Sequence, residues 1–138
     1  MSKRLVLIGA VGSTMAGLFG GWSACLSTLC IFMAMDYLSG LLVAGAFHAS
    51  SKTTSGRLES GVCFKGLIRK GTMLCIVLVA HRLDLAVGGS YIRDGTCIAF
   101  MGNELISIIE NAGVMGVPIP GVLLQAIDLL QTNQDKGK

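Results

Sequence analysis

Residues 31–48 read IFMAMDYLSGLLVAGAFH, an apolar run that carries one acid, Asp36. A carboxylate at the depth of a lipid bilayer costs about 2.5–3.5 kcal/mol, so an acid kept there predicts a functional contact. One helix face carries the residues that recur at every fourth position: Asp36, Gly40, Ala44 and His48. That face requires protein or water as its neighbour, whereas the leucines opposite suit lipid. The alternative is that Asp36 only fastens one helix to another through a hydrogen bond.

The composition of the 138-residue chain is that of a membrane protein. Hydrophobic residues make up 52% of it and mean hydropathy is +0.69. Charged residues make up 14%, against about 25% in a typical soluble domain. The five cysteines form no CxxC pair and have no histidine at metal-ligand spacing, so we expect no metal, cofactor or disulfide. The absence of a nucleophile elbow or a phosphate-binding loop argues against an enzyme.

The apolar segments predict an all-α integral membrane protein with a single domain. Transmembrane helices are expected at about residues 5–21, 23–47, 71–87 and 95–112. Helices of this length approach the thickness of a bilayer core, roughly 30 Å. A basic polar loop at 48–70 separates the second span from the third, and residues 117–138 predict an amphipathic helix at the membrane surface with a polar tail. Because the fourth segment is the least apolar, three spans are the alternative.

Small residues at four-residue spacing mark the first two spans as packing helices. The first span carries the ladder Gly9, Ser13, Gly17 and Gly21. The second span carries Gly40 and Ala44 on one face. Such ladders let helix backbones approach closely in lipid, which predicts a homo-oligomer. The alternative for the first ladder is packing against the second span of the same chain.

Polar side chains in the third and fourth spans form a second group of candidate residues. His81 and Asp84 lie three residues apart and are expected to pair on one helix face. The fourth span carries a polar stripe that must turn away from lipid: Asn103, Glu104, Ser107, Glu110 and Asn111. Together with Asp36, these groups are expected to make contacts between chains or, after a rearrangement, to line water.

The distribution of Lys and Arg predicts the orientation in the membrane. With four spans, nine of the eleven lie on the side that holds both termini and the 48–70 loop. Only Arg82 and Arg93 lie on the other side. Because basic residues favour the cytoplasmic side, both termini are expected there. The loop residues Lys65, Arg69 and Lys70 are expected to anchor that side rather than to bind nucleic acid.

Five motifs in a fixed order resemble a known family. They are MDYLSG at 35–40, FKGLIRK at 64–70, AHRLD at 80–84, NExxSIxEN at 103–111 and GVPIP at 116–120. Their order and spacing are similar to those of bacteriophage holins of the toxin-secretion/phage-lysis group. The resemblance covers roughly residues 31–130, most of the chain.

This resemblance implies a multi-pass protein of the bacterial host's cytoplasmic membrane that accumulates harmlessly late in infection. It then assembles with itself into lesions in the lipid bilayer, through which an endolysin or a toxin passes, and so times host cell lysis. Two other hypotheses remain open: a small proton-coupled transporter, in which Asp36 and Glu104 bind protons, and a regulatory membrane subunit without a pore.

Overall fold

A computed structural model describes residues 2–136, apart from the side chains of residues 133 and 134, and contains five α-helices and no strand within that range. The helices are α1 (Lys3–Leu18), α2 (Ala24–Gly45), α3 (Ser60–Val87), α4 (Ile92–Val114) and α5 (Gly121–Lys136). The all-α prediction is confirmed for these residues. The end of the expected polar tail, residues 137–138, lies outside the described part of the chain.

The junction between α1 and α2 lies at a glycine pair. Gly20 and Gly21 have φ angles of 81° and 87°, which side chains with a Cβ rarely adopt. The N–H of Gly21 donates to the carbonyl of Ala16 at 2.7 Å and closes the end of α1. The hydroxyl of Ser23 then accepts from the N–H of Leu26 and caps the start of α2.

The third helix begins eleven residues before the start of the expected third span. Residues 60–70 are the first part of α3 and not the end of a polar loop. Contacts with α2 explain the difference: the Tyr37 hydroxyl lies 3.5 Å from the carbonyl oxygen of Cys63, and its ring lies beside Gly66. The loop between α2 and α3 is therefore limited to residues 46–59.

Helices α2, α3 and α4 form a three-helix bundle, and α5 packs against α4. The bundle core consists of one apolar cluster, which contains Leu26, Leu29 and Met33 from α2, Val77 from α3 and Cys97 from α4. Close packing of these side chains holds the three helices together.

The first helix stands apart from this bundle. None of its side chains is buried, and Gly9, Gly12 and Gly17 have no atom near the position of an added Cβ. Packing of the Gly9–Gly17 ladder against the second span is therefore not observed among the described residues. The ladder is open to a partner outside this chain.

Helix α2 is the clearest candidate for a membrane span. Its 22 residues are long and apolar enough to cross a bilayer, and it alone among the described helices meets both conditions. Helix α1 has only 16 residues, equivalent to roughly 24 Å at 1.5 Å per residue.

Candidate functional site

A cluster of three charged side chains joins α2, α3 and α4 inside the bundle. The Lys70 Nζ lies 2.7 Å from Asp36 Oδ2 and 2.5 Å from Glu104 Oε2. The three side chains are largely shielded, with exposed fractions of 15% for Lys70 and 8% for each acid. One ammonium group therefore bridges two carboxylates from two different helices. We call these three residues the ion cluster.

Neutral polar groups complete the hydrogen bonds of Asp36. The Asn111 Nδ2 donates to Asp36 Oδ1 at 3.3 Å and to the Ser39 hydroxyl at 2.9 Å. The Ser39 hydroxyl donates to the Asp36 backbone carbonyl at 3.0 Å. Gly40, one position further along α2, leaves room for the Asn111 amide, which lies 3.8 Å from where a Cβ would be. Thus Asn111 of α4 packs against Gly40 of α2.

The ion cluster can join the three helices only when all three of its charged side chains are present. Two carboxylates and one ammonium leave one net negative charge in a shielded position. Buried charges are tolerated only when paired and hydrogen-bonded, and removal of one partner leaves the others uncompensated. Within the described residues, no group of His, Cys, Asp and Glu has a metal-binding arrangement.

A cavity of about 700 Å³ leads from the surface to the ion cluster. Its walls come from the last turns of α2, the first turns of α3, the middle of α4 and the 46–59 loop. Asn103 and Ser107 line it, whereas Glu110, in the same predicted stripe, is exposed. The stripe of α4 therefore divides between the cavity, the ion cluster and the surface.

A second polar cluster lies at the opposite end of α3. Asp84, only 4% exposed, accepts hydrogen bonds at 2.9 Å from the backbone N–H groups of Ile92 and Arg93. It therefore caps the start of α4. The charge interaction of Asp84 with His81 acts beside these bonds and does not replace them. Arg93 donates to the carbonyl of Phe19 at 2.8 Å and ties the end of α1 to the bundle.

The structure places His81 and the helix-packing residues as follows. The His81 ring lies against Gly20, where an added Cβ would overlap it. Ala44 is buried in α2. Gly9, Ser13 and Gly17 are exposed on α1, and Gly21 is half-buried at the turn that follows.

Lys70 requires a correction. The expectation grouped it with Lys65 and Arg69 as a cytoplasmic anchor, but its ammonium lies in the ion cluster, while those two side chains are exposed at the cavity. The need for charge balance is the feature of the sequence that could have identified Lys70 as a member of the ion cluster. Two acids in apolar helices require a cation, and Lys70 directly precedes the apolar part of α3.

Comparison with known proteins identifies the family. The sequence profile of the bacteriophage holin family matches residues 13–132. A protein of Halalkalibacterium halodurans is 37% identical over 125 residues, which cover 86% of this chain and 87% of that protein. A protein of Listeria monocytogenes is also 37% identical, over 84% of this chain and 78% of its own length. A probable holin of Bacillus phage phi105 is 24% identical over 80% of this chain and 77% of its own length.

No solved structure matches the chain. The family match covers most of the sequence and includes all five motifs that carry the resemblance. Membership also implies a membrane location. The chain, with its membrane-type composition and its ion cluster inside a helical bundle, therefore belongs to the bacteriophage holin family.

Proposed function

We propose that the protein oligomerises in the bacterial cytoplasmic membrane and forms lesions that release an endolysin or a toxin, and so times lysis of the host cell. The observation that carries the proposal is the ion cluster of Asp36, Lys70 and Glu104 in a member of the holin family. In the closed bundle these charges satisfy each other. Once the helices separate, the same groups face water, which gives the two arrangements that a timed switch needs.

The exposed apolar surface of α1 supports membrane insertion beyond α2. Leu5, Leu7 and Ile8 are 60–67% exposed, and nothing else in the described chain covers them. Lipid and other copies of the chain are the environments that suit such a surface. The proposal keeps four spans, and the distribution of Lys and Arg places both termini in the cytoplasm in this proposal.

Cysteine labelling tests this topology. Ser90 follows α3 and Ser55 lies in the 46–59 loop, and both are exposed. In a variant whose five native cysteines are replaced by alanine, Ser90→Cys should react with a membrane-impermeant maleimide added to intact cells, and Ser55→Cys should react only after lysis. Labelling of Ser55→Cys in intact cells would contradict the topology.

The open ladder on α1 should carry contacts between chains. Gly17→Leu places a bulky side chain where the glycine leaves space, so we expect smaller crosslinked multimers and delayed or lost lysis. Met15→Phe, on the far side of the same helix, is the matched control and should keep the parental lysis time. If crosslinking and timing of Gly17→Leu equal those of the parent, the ladder faces lipid and the oligomer proposal loses this support.

Induction in bacteria tests the function itself. Together with a cytoplasmic endolysin, the protein should cause an abrupt fall in culture turbidity after a lag, whereas the endolysin alone should not. Without the endolysin, growth should stop with no comparable fall. Membrane-inserted protein that never releases the endolysin would contradict a holin role.

The transporter alternative draws on one observation, the cavity that opens onto Asp36 and Glu104 from one side of the bundle. Such access is also what a proton-binding carboxylate needs. Proton-dependent uptake or export of a substrate by reconstituted protein, without release of the endolysin, would favour this alternative.

A further inference from the structure

The cavity above the ion cluster has a second property, an uncompensated basic rim. Lys65 and Arg69 lie four residues apart on one face of α3, and Lys52 from the 46–59 loop lies across from them. None of the three has an ion pair in the described part of the chain. The acid at the same rim is Glu59, whose carboxylate accepts a hydrogen bond from Ser55. Three cations therefore face one carboxylate at the cavity mouth.

The deeper acids offset at most one of these positive charges, because they share a cation of their own. Asp36 and Glu104 lie at the floor of the cavity, where both are paired with Lys70. The walls carry the polar side chains of Asn103 and Ser107 but are mostly apolar and include Leu41, Val62 and Phe100. The cavity is thus basic at its mouth and mostly apolar along its sides, with a volume of about 700 Å³.

We infer that this cavity binds one anionic phospholipid, with the headgroup phosphate between Lys52, Lys65 and Arg69 and part of an acyl chain along Leu41, Val62 and Phe100. Arg and Lys side chains pair strongly with phosphate oxygens, and basic pockets between membrane helices recognise anionic headgroups. Charge complementarity selects the phosphate, and the apolar walls select a lipid over a soluble phosphate compound. The inference rests on the membrane location of the family and not on lesion formation.

Lipid retention by purified full-length protein tests the inference. The protein is extracted in a neutral detergent, mixed with phosphatidylglycerol or phosphatidylcholine, and bound lipid is counted by native mass spectrometry. We expect one retained phosphatidylglycerol and no comparable retention of phosphatidylcholine. Equal retention of the two lipids would overturn the charge argument. In a competition experiment, glycerol 1-phosphate should not displace the bound phosphatidylglycerol, because it lacks an acyl chain. Full competition by that compound would overturn the assignment to a lipid.

Charge removal at the rim provides the matched comparison. The double variant Lys65→Gln, Arg69→Gln should retain phosphatidylglycerol roughly 30-fold more weakly, at the usual contribution of each basic residue beside an anionic surface. Lys3→Gln, Arg4→Gln removes the same charge at the start of α1, far from the cavity, and should bind as the parent does. Equal losses in the two double variants would show a general surface attraction and overturn the site. Glu59→Gln removes the one carboxylate at the rim and should therefore strengthen retention.

Discussion

Replacement of Lys70 by methionine should cost the bundle roughly 3–5 kcal/mol of stability, the usual effect of breaking a buried ion pair from one side. Methionine keeps the unbranched lysine side chain as far as Cε and removes the charge that Asp36 and Glu104 share. Two shielded carboxylates would then face each other without a cation. Unfolding of purified protein in mixed micelles, followed by circular dichroism, measures the loss, and the amount of protein in the membrane fraction should fall with it.

A rescue variant separates this explanation from a simple packing defect. Lys70→Met combined with Asp36→Asn and Glu104→Gln keeps nearly the same volumes but leaves no charge in the cluster, so it should regain most of the lost stability. Lys3→Met, which removes an exposed charge from α1, should have little effect. A Lys70→Met protein as stable as the parent would mean that the ion cluster does not hold the three helices together.

Replacement of Asp36 by leucine should leave a protein that accumulates in the membrane but does not lyse the cell. Leucine lowers the cost of membrane insertion by about 3 kcal/mol relative to aspartate. The same change removes the acceptor that Lys70 and Asn111 share, so the side-chain contacts of Asp36 with α3 and α4 are lost. Insertion and function should therefore change in opposite directions.

The asparagine variant distinguishes hydrogen bonding from charge. Asp36→Asn keeps one oxygen acceptor for Lys70 and Asn111, so partial lysis is expected if the hydrogen bonds are what matters. Loss of lysis equal to that of Asp36→Leu would assign the role to the negative charge. Met35→Leu, a change at the exposed neighbouring position, is the control. The measurement is membrane-fraction protein level beside lysis time, and a normally accumulated Asp36→Leu protein that lyses on the parental schedule would leave Asp36 as a tolerated acid in a packing helix.

Local patterns in the sequence were sufficient for much of the helical framework. The predicted break between the spans 5–21 and 23–47 agrees with the turn between α1 and α2. This turn depends on adjacent residues, the glycine pair at Gly20 and Gly21 and the cap at Ser23. The apolar run around Asp36 likewise predicts α2, since hydrophobicity and helix length are local quantities.

The prediction for the start of α3 was wrong, because local patterns do not determine it. Residues 60–70 are polar and basic enough to suggest a loop with a surface segment, and their helix is supported by contacts of Cys63 and Gly66 with Tyr37. Those contacts join residues 26 or more positions apart, so no local window contains both partners. The boundary between loop and helix therefore depends on the packing of α2 against α3.

The sequence by itself determined that the chain is helical and apolar, that acids lie within its apolar helices, and that its motifs follow the order seen in holins. Only the tertiary structure decided that Lys70 bridges Asp36 and Glu104, each 34 residues away, and that Asp84 caps α4. The physical reason is that an ionised group in a shielded position takes the partner that is nearest in space. The distance between the charged groups is set by the packing of the helices, and the periodicity of one helix does not give it.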